Sequence, residues 1–201
     1  MIKAIIFDYG NVIHKWDNDI FLKDFVKLSG KDYNYIIDVI FEHGLHDKLE
    51  TGEISDITFF KKIKDGLNLK ISQDEFFKLF SSKLFQEIRT TISLIKRLKK
   101  DYKVALLSNT NKIDFDYTIK NSGVFPLFDA VTLSFEVGHR KPDKEIFFDA
   151  LKKLNLKPNE CVFIDDIKEY SDAASKLGIH GINYLSYENL IKELKKLNVK
   201  V

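Results

Sequence analysis

Four groups of polar residues each follow an apolar run. Asp8 ends residues 3–7 (KAIIF), and Ser108, Asn109 and Thr110 follow residues 104–107 (VALL). Arg140, Lys141 and Pro142 lie in the loop beyond residues 130–133 (AVTL), and Asp165 and Asp166 follow residues 161–164 (CVFI). Together they offer three carboxylates, a hydroxyl and an ammonium. Carboxylates with oxygen-only partners suit a hard cation such as Mg2+. A carboxylate is also a competent covalent nucleophile toward phosphorus. Hydroxyl, amide and ammonium groups bind phosphate oxygens and offset the charge that develops on them. Each group has a plainer use. An Asp after a strand caps a helix or forms a turn, Ser-Asn-Thr is a common N-cap cluster, and a Lys before Pro is usually a solvated loop residue. Their recurrence at successive strand ends favours a shared site.

That site requires parallel strands lying side by side, because ligands of an open parallel sheet collect at the strands' carboxyl edges. The four runs are short and rich in β-branched residues, as buried parallel strands are. A fifth, weaker run covers residues 181–184 (GINY). Apolar residues recur at helical spacing over residues 86–100, 143–154 and 187–197, and residues 170–177 form a short Ala-containing helix. Strands alternating with helices predict an α/β, Rossmann-like doubly wound parallel sheet. Residues 16–84 break the alternation. They show no clear strand, and helical patterns cover 18–28, 33–41, 56–67 and 73–80. The expected organisation is a catalytic core of residues 1–15 and 85–201, with residues 16–84 inserted after strand one as a helical cap.

Composition narrows the function classes. The 201 residues carry 32 Lys+Arg against 30 Asp+Glu, a net charge of +2 that gives no electrostatic case for nucleic acid. The only cysteine is Cys161, so no disulfide forms within the chain, as suits a reducing compartment. The first residues lack a signal-peptide pattern, and no apolar run is long enough for a membrane span. A cytoplasmic protein with no membrane partner is expected.

The sequence resembles the haloacid dehalogenase (HAD) superfamily over nearly its whole length. IIFDYGNVI is similar to its first motif, VALLSNT to its second, the HRKPDKEIF stretch to its third and CVFIDD to its fourth. KLETGEIS, residues 48–55, resembles a stretch of the helical caps in this group. The first motif is most similar to a branch that includes α-glucose-1-phosphate phosphatases and the N-terminal phosphatase domain of soluble epoxide hydrolase. The resemblance implies an Mg2+-dependent phosphatase acting on a small-molecule phosphate ester, with a sugar phosphate among the substrates it suggests. It implies that Asp8 attacks phosphorus and ligates the metal. The Gly10 carbonyl and Asp166 are further metal ligands, and Asp165 acts indirectly, through a water of the metal or by orienting the site. Ser108 and the amide of Asn109 bind phosphoryl oxygens, and Lys141 neutralises the gathered negative charge.

One position departs from the pattern. Most phosphatases of this superfamily carry a second Asp two positions after the nucleophile, as general acid and base. Here that position is Gly10. General acid–base help is worth roughly 10²–10⁴-fold in rate, most for poor leaving groups. His14, Asp17, His43 and His46 are candidates to replace it, each with a solvated surface role as the plainer reading. Asp17, nine positions after Asp8, has a slight edge. Tyr9 and Trp16 lie near enough in sequence to stack on a sugar, whereas Phe41, Phe59, Phe60, Phe76, Phe77 and Phe80 read as cap core. Two other functions fit the scaffold. A haloalkanoate dehalogenase uses the nucleophilic Asp without a metal, and Gly10 leaves room for a weakly active or non-catalytic phosphate-binding protein. The motifs leave the substrate and the oligomeric state open.

Overall fold

A computed structural model describes residues 1–201, except for the His43 side chain. Five parallel strands form the central sheet: β1 (Ala4–Phe7), β4 (Lys103–Ser108), β5 (Ala130–Leu133), β6 (Cys161–Asp165) and β7 (His180–Asn183). Their order is β5-β4-β1-β6-β7. Strand β1 is central, pairing with β4 and β6 in parallel, with Phe7 opposite Leu106 and Ile164. All four of its residues are buried, which is why it reads as an unbroken apolar run. The register brings Asp8, Ser108 and Asp165 to one edge of the sheet.

Helices cover both faces. Ile5, Phe7, Val104, Leu106, Val162 and Ile164 face α6 (Arg89–Leu98) and α11 (Tyr187–Lys196). Ala4, Ile6, Ala105, Leu107, Cys161 and Phe163 face α9 (Lys144–Leu154) and α10 (Lys168–Lys176). This is the doubly wound α/β architecture expected from the alternation. Two short helices sit at the carboxyl edge, α7 (Lys112–Asp114), continued by a π turn, and α8 (Ser134–Val137).

Between β1 and β4 the chain builds a helical layer from α1 (Asp19–Ser29), α2 (Tyr33–Phe41), α3 (Leu45–Glu50), α4 (Asp56–Leu67) and α5 (Gln73–Ser81). It has a core of its own, in which Phe21, Phe25, Phe59, Phe76 and Phe80 are fully buried. Local signals fix its helices. Gly30 ends α1 in the left-handed conformation, and Ser72 with Glu75 forms a reciprocal capping box on α5. Phe41 packs half-buried against this core and also lines a cavity.

The crossings into and out of this layer pair with each other. Strands β2 (His14–Trp16) and β3 (Leu84–Glu87) are antiparallel, with Trp16 opposite Leu84. Residues 86 and 87, expected to begin a helix, therefore belong to a strand. Among the described residues, no helix is long and apolar enough to cross a membrane.

Candidate active site

The sheet edge and the helical layer enclose a cavity of about 320 Å³. Asp8, Gly10, Ser108, Asn109, Lys141 and Asp166 line its sheet side. Carboxylate oxygens of Asp8, Asp165 and Asp166 lie within 4.8 Å of one another. Lys141 Nζ donates to Asp8 Oδ1 and to Asp165 Oδ2, both at 2.6 Å. The lysine is 3% exposed and Asp165 is fully buried, so these are desolvated charges in mutual compensation.

Burial pushes the Asp8 carboxyl well above the usual carboxylate range, outweighing the opposing pull of Lys141, and the Asp165 and Asp166 charges push the same way. Burial raises Asp166 too. Three crowded, dry carboxylates against one ammonium form an oxygen-only donor set that fits a hard divalent cation.

Each group is held by its element. Asp8 N donates to Ile164 O at 2.9 Å, continuing the sheet ladder past β1. Asp165 Oδ1 accepts from Ile167 N at 2.9 Å, so both its oxygens are engaged and it orients rather than reaches. The Asn109 side chain brackets the backbone of Lys141, accepting from Lys141 N at 2.8 Å and donating to Lys141 O at 3.1 Å. Asn109 thus sets the lysine in addition to offering its own amide. The Ser108 hydroxyl has only a 3.4 Å contact to Asn109 O and faces the cavity.

Two asparagines to which the motifs gave no role complete the frame. Asn11, at φ +52°, donates to Asp166 Oδ2 at 3.2 Å and accepts from Trp16 N, tying the carboxylate to β2. Asn183, at the end of β7, donates to Asp166 O at 2.8 Å and Asp165 O at 3.3 Å. Tyr170 lies over Lys141, with Nζ 5.1 Å from the ring centroid.

Of the substitutes for an acid at Gly10, Asp17 is not brought to the cavity. It is exposed, and its Oδ1 accepts from Asp19 N at 2.9 Å where α1 begins. An Asp just before a helix meets orphan amides, and this one turns toward them. His14 stacks on Tyr9, ring centroids 5.0 Å apart, and lies off the cavity wall. The His43 side chain lies outside the described residues. His46 does line the cavity. Asp143 occupies the N-cap position of α9, yet its side chain makes no capping bond.

The wall of the cavity facing α3 carries further charged groups. Glu50 ends α3, with Oε2 3.2 Å from Arg140 Nε and Oε1 3.9 Å from His46 Nε2. Arg140 also bonds Asp47. Lys83, 3% exposed, pairs with Asp114 at 2.8 Å and sits 3.5 Å from the Phe80 ring centroid. KLETGEIS contains Glu50, HRKPDKEIF contains Arg140 and His46 was an acid–base candidate, whereas nothing in the sequence singled out Lys83 or Asp114.

The haloacid dehalogenase-like hydrolase family matches residues 2–178. A D-ribitol-5-phosphate phosphatase of Bacteroides thetaiotaomicron is 30% identical over 89% of both chains. A sesquiterpene phosphatase of Aspergillus oryzae is 27% identical over 97% of this chain and 96% of its own. A HAD family enzyme of B. thetaiotaomicron, solved in complex with magnesium and inorganic phosphate, superposes with a TM-score of 0.81 at 28% identity, over 89% of this chain and 92% of that one. By its fold, its four strand-end motifs and these matches, the chain belongs to the haloacid dehalogenase-like hydrolase family.

Proposed function

We propose that the chain is an Mg2+-dependent phosphatase that hydrolyses a small phosphorylated metabolite through an aspartyl-phosphate on Asp8. The observation that carries this reading is the Lys141 ammonium held between Asp8 and Asp165, with Asp166 completing the carboxylate cluster. A nucleophilic carboxylate needs to be ionised and aimed; Lys141 favours its charged form against the push of burial, and the bond from Nζ to Oδ1 aims it. Asp8, Asp166 and the Gly10 carbonyl would hold Mg2+, with Asp165 orienting them. Bound there, the cation supplies charge neutralisation for the phosphoryl oxygens. Ser108 and the Asn109 amide receive those oxygens, and Lys141 offsets the charge that builds on them. A metal-free dehalogenase has no use for three clustered carboxylates.

The cavity supports a polar leaving group. Its helical wall presents His46, Glu50, Lys83 and Arg140, and Asp114 borders it. Hydroxyl groups can replace water on such a wall, whereas a hydrocarbon chain would strand its charges. A sugar or polyol phosphate, of the kind named for the bacterial relative, therefore suits this chain better than the terpenoid class named for the fungal one. The near-balanced charge supports a cytoplasmic enzyme that engages neither nucleic acid nor membrane.

The test is a panel of phosphate esters that includes D-ribitol-5-phosphate and a prenyl phosphate. Hydrolysis is expected for the polyol ester, lost with EDTA and lost in Asp8→Asn. Metal-independent turnover, or full activity in Asp8→Asn, would overturn the reading.

A further inference from the structure

Hydrolysis through an aspartyl-phosphate needs a proton delivered to the departing oxygen and later a proton removed from water. Gly10 has no side chain for either step. The cavity wall narrows the alternatives. Asp17 and His14 do not line it. Asp114 has both oxygens engaged, by Lys83 Nζ at 2.8 Å and Asn111 Nδ2 at 2.7 Å. Asp8 and Asp166 belong to the carboxylate cluster.

Glu50 differs from all of these. It lines the cavity from the helical side, and neither of its oxygens accepts a hydrogen bond from the described residues. Arg140 is an ion-pair neighbour at 3.2 Å, and His46 stands beyond hydrogen-bonding distance at 3.9 Å. The charges that face it are Arg140, Lys83 and Lys141, with Asp47 on its own helix. Glu50 and Asp8 line the same cavity. Tyr170 and neutral His46 complete the surroundings. Burial pushes the Glu50 carboxyl up, against a partial downward pull from Arg140, Lys83 and Lys141.

We propose that Glu50 is the proton-transfer residue of this enzyme, replacing from the helical layer the acid that Gly10 cannot provide. The inference rests on the phosphatase reading of Asp8. In the first step an Asp8 oxygen bonds to phosphorus, the bond from phosphorus to the leaving oxygen breaks, and the Glu50 proton passes to that oxygen. In the second step water bonds to phosphorus and gives its proton to the Glu50 carboxylate. The Asp8–phosphorus bond breaks, and phosphate leaves with Asp8 restored. Each turnover consumes one ester and one water and returns Glu50 to its starting state.

The experiment compares wild type with Glu50→Gln on 4-nitrophenyl phosphate, whose leaving group needs no proton, and on an alkyl polyol phosphate. Aspartyl-phosphate is read separately, as the intact mass of acid-quenched protein. In Glu50→Gln, alkyl ester turnover is expected to fall by about 10²–10⁴-fold. Nitrophenolate release in the first turnover stays near the wild-type rate, and the phosphorylated mass accumulates because its breakdown lacks a base. Adding Gly10→Asp to Glu50→Gln restores the alkyl activity. The backbone at Gly10 admits a side chain, since an added Cβ would meet Trp16 Cβ at 3.8 Å and Asp8 Oδ2 at 4.0 Å, ordinary contacts. Equal losses on both esters without phosphoenzyme accumulation, or no loss at all, overturn the assignment. If Glu50→Gln fails to fold, Gly10→Asp alone decides. A gain of only a few-fold on alkyl esters supports Glu50, whereas a gain in the general acid–base range shows that the role was vacant. Absence of phosphoenzyme in both wild type and Glu50→Gln, with neither ester hydrolysed, would instead sink the phosphatase reading itself.

Discussion

Lys141 is sealed in the core of the site because two carboxylates meet its ammonium there. Removing one partner of such a cluster leaves the others buried and uncompensated, which costs about 3–5 kcal/mol. Lys141→Met is therefore expected to lose stability on that scale in urea unfolding, as well as all phosphatase activity. Adding Asp8→Asn should recover part of the stability by removing one of the stranded charges, a coupling that a double-mutant cycle reads directly. If the two losses simply add, the ion pair is not what holds the lysine. Asp8, Asp165 and Asp166 were legible because each stands at or just after the end of a buried run, whereas Lys141 lies beyond α8, in a loop that the third motif marked. Glu50 and Lys83 were not legible as site residues. Their positions depend on contacts with Arg140 and Asp114, far away in sequence, and no local pattern encodes such a meeting.

At the scale of elements, α3 matters because it delivers Glu50, and Gly52 sets how closely α3 approaches the core. Gly52 is at φ +71°, and a Cβ there would lie 2.3 Å from the Phe135 carbonyl oxygen in α8. A side chain meets both a left-handed backbone and a fixed carbonyl, at a cost of roughly 1–3 kcal/mol. Part of that strain is relieved by lifting α3 from the core, which draws Asp47 and Glu50 away from Arg140. Gly52→Ala is expected to weaken substrate binding, raising KM about tenfold if 1.4 kcal/mol is lost there. Steady-state kinetics with unchanged KM would show that the close approach is not needed. Strands β1, β4 and β6 were readable because burial on both faces makes them largely apolar, and the edge strand β5 kept an apolar run although half of it is only partly buried. Strand β7 lies one residue before its expected place, and α10 begins two residues earlier than expected. Strands β2 and β3 escaped because HKW and LFQE are short and largely exposed, and they exist by pairing with each other across the inserted layer.

For the whole molecule, the junction between sheet and helical layer is its most charged interior, with Asp47, Glu50, Lys83, Asp114 and Arg140 meeting around His46. Arg140 and His46 stood out in the sequence, but their meeting with Glu50, Lys83 and Asp114 was not legible, since charged residues scattered along a sequence read as surface. The consequence is a dependence of stability on pH. Burial, with help from the Lys83 and Arg140 charges, holds the His46 imidazole down at about 4, from an ordinary value of 6.5. The folded protein therefore keeps His46 neutral where the unfolded chain takes up a proton. Stability is full above pH 6.5 and is lost as pH falls from there toward 4, by roughly 2 kcal/mol at pH 5. Glu50 works in the opposite direction, because a carboxyl raised by burial binds its proton more readily in the folded state. Comparing wild type with His46→Phe separates the two, since the ring is replaced and Glu50 is kept. Urea midpoints measured at pH 7 and pH 5 should fall further in wild type than in the variant. Equal falls would mean that His46 is protonated within the fold, and the junction would then carry one more positive charge beside Glu50.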